Sequence, residues 1–451
     1  MNKAFGNFVY EQKLSQYQGL DYRVADFEES IKETEGTDIL SIMDNTIKTT
    51  KCVLIIASVA SMIDQFNIPN IKLLINLGFG VDVATNFISG STCTKQKIQK
   101  LLKLLDDMKV DCYQIDFNRN FIDLTSNVKA FRQLDRVVKG DANPINKRHY
   151  HNISYTHQYA FIHSHSPIGG AIGRIVAKKH GIKTIYTAHG FHFYDGAPIK
   201  NWLLTYPVER ELSWITDVLI TINKEDYKRA KKQFHAKRTV YIPGFGVDTK
   251  KFDSGLIDPE KKRKELGIKS DEILLLSVGE LIPRKNHAVV VKALAKISNP
   301  KIKYIIAGKG PLESALKSLT HKLKIDEQVE FLGFRTDVSE LCQAADIFIF
   351  PSHQEGLPVA LMEAIACGIP AICSNIRGNT DLITDKCCLF DENSVDDVIQ
   401  CLNRLITDRS NIKLSNKRRV ELNKTILSKY NLSAVEKRME TEFQKLGSIS
   451  P

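Results

Sequence analysis

The 451-residue sequence lacks an apolar run long enough to cross a membrane. The longest early run, Cys52 to Ile63, stops at Asp64, whereas a membrane-spanning helix needs about 20 apolar residues. Residues 1–11 are polar and lack the apolar core of a secretory signal peptide. We therefore expect a cytoplasmic protein, or one that binds a membrane from its cytoplasmic side.

The sequence also has few of the features that mark metal-binding or disulfide-rich proteins. Its nine cysteines are an odd number in a long chain, and they show no paired spacing typical of zinc ligands. Cys387 and Cys388 are adjacent, which suits neither a metal site nor a disulfide framework. Cys52, Cys367 and Cys373 fall within strand-like or helical runs, as small buried residues do. We expect reduced thiols and no metal.

Charge is unevenly distributed along the chain, whose net charge is +11. Residues 1–50 carry five Lys and Arg against nine Asp and Glu, so the remaining residues carry a net +15. A basic body can serve nucleic acid, an anionic membrane or phosphorylated substrates. The acidic first segment is predicted to be an extension that forms either a small docked helical cap or a flexible lead-in.

Two basic helices are predicted, at Lys95–Met108 and at 224–238. In the first helix, four apolar residues share one face and lysines surround them: Ile98, Leu101, Leu102 and Leu105, with Lys95, Lys97, Lys100 and Lys103. Such a face can dock on anionic lipid or pack on the helix's own sheet, and packing is the favoured interpretation. Neither helix interleaves aromatic residues as nucleic-acid platforms do, so we expect no nucleic-acid partner.

From Lys51 onward, predicted strands and helices alternate in the manner of doubly wound parallel sheets. The predicted strands are Val53–Val59, Val81–Thr85, Tyr159–His163, Thr184–Thr187, Val218–Ile222, Ile273–Val278, Lys303–Ala307, Val329–Leu332, Ile347–Phe350 and Ala371–Ser374. Helical periodicity is clear at Lys95–Met108, Lys224–Phe234, Ala288–Ile297 and Leu312–Leu323. A turn-rich stretch at 243–248 separates two series of strands. The pattern predicts an α/β protein with two such units and a cleft between the carboxyl ends of their sheets.

Residues 355–363, with the sequence EGLPVALME, are the most informative stretch of the chain. They follow an apolar run at 346–351 that is predicted to be a buried parallel strand. Pro358 suits the first position of a helix, so Glu355 would lie in the preceding loop and Glu363 in the second helical turn. Backbone N–H groups at a helix N-terminus suit a phosphate, and each carboxylate can accept hydrogen bonds from sugar hydroxyls. The stretch therefore predicts a nucleotide-sugar site.

The two glutamates, separated by seven residues and flanked by FPSxxEGLP and EAxACGxPA, resemble the signature of family 4 glycosyltransferases. The resemblance spans about 51–445, and residues 168–248 are especially similar to bacterial enzymes that assemble capsular or exopolysaccharide repeat units. It implies the GT-B fold, in which two Rossmann-like domains face a cleft and a C-terminal helix crosses back to the first domain. The implied parts are an extension (1–50), an acceptor domain (51–248), a donor domain (249–430) and the crossing helix (431–451).

The resemblance also implies roles for residues near the start of the second domain. Gly279 ends a predicted strand where the backbone of a nucleotide could approach closely. Arg284 and Lys285 then offer cations, and Lys285 matches the lysine that family members place on the diphosphate, where charge develops as the sugar leaves. Many members have an arginine where this chain has Glu280, so Arg284 is the candidate for a second cation.

Other donor contacts are implied by later motifs. Gly308 lies in a turn, AGKGP, that resembles the glycine turn lining the family's donor pocket. Phe334 and Arg335 follow a strand whose end meets the nucleobase in similar enzymes, and simple packing is the alternative. Within the central motif, Glu355 would position sugar hydroxyls and Glu363 would hold the ribose. The remaining implied donor-binding residues are Gly356, Leu357, Pro358 and Val359.

Histidines mark the strand ends of the first domain. The resemblance places His189 beside the donor sugar as a catalytic residue, with His192 as a further candidate. His163 and His165 would face the same side of a strand end, but a third metal ligand in recognisable spacing is missing, so the resemblance favours cleft lining. The glycines at 169–173 echo a dinucleotide fingerprint but lack its preceding Gly-x-Gly and its trailing acidic residue, so we predict no NAD binding.

The function implied by the resemblance is retaining transfer of a hexose or N-acetylhexosamine from a nucleotide diphosphate sugar, expected to be UDP-linked. The acceptor would be a lipid-linked saccharide in cell-surface polysaccharide assembly, with no cofactor beyond the co-substrate. An anionic membrane surface is an expected partner, with Lys95–Met108 of the first domain as the expected contact, and the protein would be peripheral at the inner face of the cell membrane. Two alternatives stay open: a nucleotide-sugar epimerase of the same fold, and a catalytically idle scaffold of a polysaccharide-assembly complex.

Overall fold

Two parallel β-sheets with helices on both faces form the body of the molecule. The computed structural model describes residues 51–90, 93–118, 120, 123–146, 159–249, 258–407 and 428–447. The strands are β1 (Cys52–Ile56), β2 (Gly80–Thr85), β3 (Asp111–Gln114), β4 (Phe161–His165), β5 (Lys183–Ala188), β6 (Val218–Thr221), β7 (Arg238–Tyr241), β8 (Ile273–Val278), β9 (Ile302–Ala307), β10 (Val329–Gly333), β11 (Ile347–Phe350), β12 (Ala371–Ser374) and β13 (Leu389–Phe390).

The helices follow the strands in alternation. The α-helices are α1 (Ala60–Met62), α2 (Ile68–Asn76), α3 (Lys95–Asp107), α4 (Leu124–Lys139), α5 (Pro167–Lys179), α6 (Ile199–Ser213), α7 (Lys224–Gln233), α8 (Pro259–Glu265), α9 (His287–Ile297), α10 (Glu313–Lys322), α11 (Val338–Ala344), α12 (Val359–Ala366), α13 (Asn379–Leu382), α14 (Val395–Thr407) and α15 (Leu432–Gly447). A π-helix spans Ile63–Asn67, and 3-10 turns occur at Pro283–Lys285, Asp326–Gln328 and Lys386–Cys388.

Both sheets reverse their strand order near the middle. The first sheet has the order β3-β2-β1-β4-β5-β6-β7 and the second the order β10-β9-β8-β11-β12-β13, with parallel pairing throughout these ladders. The reversals fall between β1 and β4 and between β8 and β11. In open α/β sheets, ligands bind at such switch points, outside the carboxyl ends of the strands. The topology confirms the predicted pair of Rossmann-like domains.

Each sheet is buried on both faces, as parallel sheets usually are. In β1, Val53 and Ile55 enter one apolar cluster whereas Leu54 and Ile56 enter the cluster on the opposite face. Strand β8 alternates in the same way between two clusters of the second sheet. This burial explains why the predicted strands were continuous apolar runs rather than alternating ones.

The last helix, α15, packs on the first domain although it follows the second in sequence. Val435, Met439 and Leu446 join the core of the first sheet, and the ring of Phe443 stacks on that of Phe161 with 5.8 Å between centroids. The predicted crossing helix is therefore confirmed. The predicted domain boundaries stay predictions, and residues 1–50 lie outside the described residues.

Three strands were not predicted from the sequence: β3, β7 and β13. Strands β3 and β7 lie at the two edges of the first sheet and β13 at an edge of the second. They have two to four residues each. β3 and β7 include polar or charged residues, such as Asp111 and Arg238, so the hydrophobic pattern does not mark them.

The apolar face of α3 is directed inward. Leu101 and Leu105 are buried in the core of the first sheet, with Ile98 and Leu102 packed against it. The favoured interpretation of this helix, packing on its own sheet, is confirmed, and these side chains are not available for insertion into lipid. In the parts of the chain that the structure describes, none of the helices combines the length and apolar character needed to span a membrane.

Candidate active site

The loop between β11 and α12 carries the central motif. Pro358 is predicted at the first helical position, but it lies one residue earlier, as the N-cap of α12, because its ψ of 115° is extended. The helix thus begins at Val359, and its cap makes no side-chain hydrogen bond. The first backbone N–H groups of α12 therefore form an N-terminus suited to an anion.

Glu355 accepts hydrogen bonds from two cations through a single oxygen. Arg284 Nη1 and Lys285 Nζ each lie 2.7 Å from Glu355 Oε1. Arg284 also donates to the carbonyl oxygen of Gln354 at 2.8 Å. Among the described residues, Glu355 Oε2 accepts no hydrogen bond. Residues that the sequence separates by about 70 positions are thus joined in one polar cluster.

Lys285 is the more buried of the two cations, with a side chain 13% exposed against 39% for Arg284. Its ammonium lies 4.6 Å from the centroid of the Phe350 ring. Desolvation lowers the pKa of Lys285, and the neighbouring carboxylate of Glu355 opposes that change. The partner carboxylate and the aromatic face therefore help to keep a buried ammonium charged.

Two glycines bring the strand ends beside this cluster. A Cβ atom at Gly308 would lie 1.8 Å from the carbonyl oxygen of Gly279, so the ends of β8 and β9 approach too closely for a side chain. A Cβ atom at Gly279 would lie 3.3 Å from Lys285 Cε, so Gly279 leaves room for the lysine. Both predicted glycines therefore lie at the carboxyl edge of the second sheet beside Lys285.

The remaining donor-site candidates of the second domain take different positions. Phe334 follows β10 and is 71% exposed. Arg335 is engaged by Asp337, with 2.7 Å between Nε and Oδ1, and Glu265 lies 3.6 Å from its Nη2. Glu363 is half-buried in the second turn of α12. The structure thus gathers Arg284, Lys285 and Glu355 into one cluster, whereas the guanidinium of Arg335 belongs to a separate acidic group.

The first domain meets this motif through His189. A Cβ atom at Gly356 would lie 2.2 Å from the carbonyl oxygen of His189, so the two domains touch backbone to backbone here. At the same contact between the domains, Gly244 lies against the buried side chain of Leu357. Glycine at position 356 is therefore required by the close approach of the two domains.

His189 belongs to a row of three histidines. His165 Nδ1 lies 3.0 Å from His189 Nε2, and His163 Nε2 lies 2.9 Å from Thr187 Oγ1. The ring centroids of His163 and His165 are 4.1 Å apart, which confirms that the two side chains lie on the same side of β4. Desolvation lowers the pKa of His189 to about 4 and that of His163 to about 3. Burial also lowers the pKa of His165, so all three rings are neutral at pH 7.

The hydrogen bond between His165 and His189 uses one of the two ring nitrogens of His189. Because Nε2 is held by His165, the ring nitrogen left without a hydrogen-bond partner among the described residues is Nδ1, which is buried. His192 lies on the same loop and is exposed. In the described residues, no three His, Cys, Asp or Glu side chains are arranged to hold a metal ion.

The glycines of α5 have a packing role. A Cβ atom at Gly170 would lie 2.3 Å from the ring of Tyr186, and one at Gly173 would lie 2.3 Å from Ser164 Oγ. These glycines let α5 approach the first sheet closely, which explains the resemblance to a dinucleotide fingerprint.

Arg377 is a part of the site that the sequence analysis missed. Its Nη1 donates to Asp226 Oδ1 at 2.8 Å and to the carbonyl oxygen of Phe191 at 2.9 Å, and its Nε donates to the carbonyl oxygen of Glu355 at 3.2 Å. The sequence carries only an indirect signal, an Asn-x-x-Asp capping pattern in which Asn223 accepts from the backbone of Asp226. Such a pattern indicates a helix start and not a partner in another domain.

The assembled groups suit a ligand with two chemical parts. Two cations and a helix N-terminus favour a diphosphate, and a carboxylate oxygen and an imidazole nitrogen can bond hydroxyl groups. The groups lie at the switch point of the second sheet and face His189 of the first domain. This is the arrangement of a GT-B glycosyltransferase.

Comparison with known proteins identifies the family. Residues 258–424 match the model of group 1 glycosyl transferases, and residues 89–223 match the glycosyl transferase 4-like model. The chain is 36% identical over 343 residues to a protein of Bacillus subtilis (strain 168) named "Putative glycosyltransferase EpsD", covering 74% of this chain and 82% of that protein. The chain belongs to the group 1, family-4-like glycosyltransferases.

Other similarities agree with this assignment. The chain is 32% identical over 263 residues to the Escherichia coli UDP-Gal:alpha-D-GlcNAc-diphosphoundecaprenol alpha-1,3-galactosyltransferase, covering 56% of this chain and 67% of that enzyme. Among solved structures, HepE of Anabaena in complex with UDP and glucose matches with a TM-score of 0.68 at 16% identity, over 88% of this chain and all of that one. WaaG, a glycosyltransferase of lipopolysaccharide biosynthesis, matches with a TM-score of 0.62 at 18% identity, over 86% of this chain and 99% of that one. The structural matches confirm the GT-B fold.

Proposed function

We propose that this glycosyltransferase moves a hexose or N-acetylhexosamine from a UDP-linked sugar to a lipid-linked saccharide, with retention of configuration. The reaction would serve the assembly of a cell-surface polysaccharide, capsular or exopolysaccharide, by a protein peripheral at the inner face of the cell membrane. The observation that carries the proposal is the joint contact of Arg284 and Lys285 with Glu355 beside the uncapped start of α12.

The donor would enter a site whose positive charge is only partly neutralised without it. Glu355 neutralises part of the charge of Arg284 and Lys285 through Oε1, and its Oε2 remains able to accept from sugar hydroxyls. The oxygens of a diphosphate would accept hydrogen bonds from the remaining N–H groups of the two cations and from the backbone N–H groups at Val359. Donor binding then adds negative charge where positive charge is already held in place, so little reorganisation is needed.

The chemical step follows from this placement. The bond between the anomeric carbon and the phosphate oxygen breaks, and its electron pair goes to the diphosphate, where the two cations stabilise it. The acceptor hydroxyl attacks from the face that the diphosphate leaves, and its proton passes to the departing phosphate oxygen. His189 would bond the sugar through Nδ1 and orient it. No protein carboxylate forms a glycosyl adduct in this scheme, and no metal is needed.

The relatives support the donor and acceptor. The name of the E. coli relative specifies UDP-galactose and a diphosphoundecaprenol-linked acceptor, and HepE was solved with UDP and glucose. A lipid-linked acceptor would also explain why a basic protein without a described membrane-spanning helix would associate with a membrane.

The proposal is tested by incubating the purified protein with a panel of UDP-sugars and with lipid-linked acceptors extracted from membranes. Mass spectrometry of the lipid fraction should show a gain of one sugar, and UDP should appear only when the acceptor is present. The anomeric configuration of the new bond, read by NMR, should match that of the donor. Inversion would contradict the retaining scheme.

The same assay separates the alternatives. An epimerase would convert one UDP-sugar into another without membrane extract. A scaffold would give neither UDP nor product with any donor of the panel. Either result would overturn the proposed transfer.

A further inference from the structure

Helix α6 (Ile199–Ser213) presents an apolar surface to solvent, which is unusual for a helix that is already packed on its other side. Its inner face is anchored by Glu209, which is buried and bonded by Arg174 Nη2 at 2.8 Å and by the Tyr186 hydroxyl at 3.0 Å. Trp202 and Tyr206 pack around Phe193 on that same face. The outward face is therefore not needed to hold the helix on the domain.

Most residues on the outward face are nevertheless apolar. Ile199 is 73% exposed, Leu203 69% and Leu204 61%. Trp214, the residue at the C-terminal cap of the helix, is 61% exposed and is held by stacking on His235, with 3.9 Å between ring centroids. The outward face, called here the α6 face, consists of Ile199, Leu203, Leu204, Pro207, Val208 and Trp214, interspersed with Lys200, Arg210 and Glu211.

Cations border the α6 face on both neighbouring helices. Lys178 is exposed at the end of α5, and α7 exposes Lys228, Lys231 and Lys232. Of the acidic side chains nearby, Glu209 is paired with Arg174, and Asp195 and Glu225 are paired with Arg229, whereas Glu211 is exposed on the face. An apolar strip with an exposed tryptophan and a basic border complements an anionic lipid surface.

The α6 face also lies next to the cleft. Asn201 in the first turn of α6 donates to the carbonyl oxygen of His192, in the loop that begins at His189. A surface bound through α6 would therefore lie beside the part of the first domain that faces the donor site. This is where an acceptor held in a membrane must arrive.

We propose that the α6 face is the surface by which the protein docks on an anionic bilayer. Ile199, Leu203, Leu204 and Trp214 insert at the level of the headgroups, and Lys200, Arg210, Lys178 and the lysines of α7 contact anionic lipid. This replaces α3 as the contact, because the apolar residues of α3 are buried in the core. The inference rests on the proposed function only in that a lipid-linked acceptor gives such docking a purpose.

Flotation of the full chain with vesicles tests the proposal, using phosphatidylcholine alone or mixed with phosphatidylglycerol. The wild type should float with the anionic vesicles and much less with the neutral ones, and added salt should reduce its recovery. A Leu203→Ser, Leu204→Ser variant should bind at least about tenfold more weakly, because two large apolar side chains are lost from the contact. Since both positions are exposed, its thermal unfolding midpoint should match that of the wild type.

Two matched controls sharpen the comparison. A Leu124→Ser, Val128→Ser variant removes two exposed apolar residues from α4 and should bind vesicles like the wild type. A Lys100→Glu, Lys103→Glu variant reverses charges on α3 and should also keep most of its binding. If the α3 variant loses binding while the α6 variant keeps it, or if the wild type binds neither kind of vesicle, the proposal is wrong.

A further experiment tests whether a second copy of the chain, rather than lipid, covers the α6 face. Sedimentation of the wild type and of the Leu203→Ser, Leu204→Ser variant without vesicles should give the same mass. A dimer that the variant dissociates would overturn lipid docking. Sugar transfer to a water-soluble acceptor analogue is measured in parallel and should be equal in wild type and variant. If transfer fails in every protein while flotation behaves as expected, the proposed reaction is wrong and the docking surface stands.

Discussion

Arg377 of the second domain forms a buried ion pair with Asp226 of the first, with 2.8 Å between Nη1 and Oδ1. Neither side chain is more than 3% exposed. Burial raises the pKa of Asp226, and the guanidinium of Arg377 opposes that change. The same arginine donates to the carbonyl oxygen of Glu355. One residue thus connects the first domain to the loop that carries the central carboxylate.

The ion pair should matter for both stability and turnover. Replacement of Asp226 by Asn leaves a buried guanidinium without its counter-charge, which costs roughly 3–5 kcal/mol in comparable buried pairs. We expect a lower urea midpoint and slower transfer, because the loop at Glu355 loses its tether. An Asp226→Leu, Arg377→Met double variant removes both charges but leaves backbone groups of Phe191 and Glu355 without these partners, so it should recover part of the stability but not turnover. Recovery of both would show that the pair has no positioning role.

Glu355→Gln tests the carboxylate directly. Glutamine keeps the size of the side chain but removes its charge, so turnover at saturating donor should fall roughly 10²-fold. The affinity for UDP alone should stay the same or increase, since Arg284 and Lys285 lose a competing anion. Glu327→Gln, at an exposed position, is the control and should leave both quantities unchanged. Near-normal turnover of Glu355→Gln would contradict the assignment.

Lys285→Ala should weaken the binding of UDP as well as of UDP-sugar. Hydrogen bonds to charged groups contribute about 1.5–3 kcal/mol, so the dissociation constant for UDP should rise roughly ten- to hundredfold. Isothermal titration calorimetry measures this directly. Lys292→Ala removes an exposed lysine from α9 and should not change the affinity. An unchanged affinity in Lys285→Ala would mean that the ammonium does not contact the diphosphate.

Much of the fold and part of the site could be predicted because the signals are local. Buried parallel strands appear as apolar runs, and residues at their carboxyl ends, such as Gly279 and His189, are brought to one edge by the topology alone. Lys285 and Glu355 follow β8 and β11, which are neighbours at the switch point. Their proximity therefore follows from strand order once the doubly wound pattern is recognised.

The parts that could not be predicted depend on contacts between distant segments. Nothing near Arg377 in the sequence indicates that its partner lies 151 residues away in another domain. The amphipathic pattern of α3 shows that it has an apolar face but not what that face meets. Helix α6 has apolar residues on both sides, so its sequence does not show which face packs on the domain and which face is exposed.

His165 is predicted to act as a positioning residue for His189. Because His165 Nδ1 bonds His189 Nε2, it holds the ring and leaves Nδ1 for the donor sugar. His165→Leu removes this contact and should lower kcat roughly tenfold with little change in UDP affinity. His165→Asn retains a polar group near the position of Nδ1 and should restore most of the activity. If asparagine and leucine are equally impaired, His165 has only a packing role.

The buried histidines should make the protein less stable as the pH falls. His163 is fully buried, and desolvation lowers its pKa to about 3, whereas the unfolded chain takes up the proton near pH 6.5. Between these values the unfolded state binds one proton more, so the free energy of unfolding should decrease by about 1.4 kcal/mol per pH unit for this residue as the pH falls. Urea unfolding at pH 4.5, 5.25 and 6, compared between wild type and His163→Gln, isolates this contribution, because glutamine does not titrate. The variant should show a pH dependence shallower by about that amount, and equal slopes would mean that His163 is protonated in the folded protein.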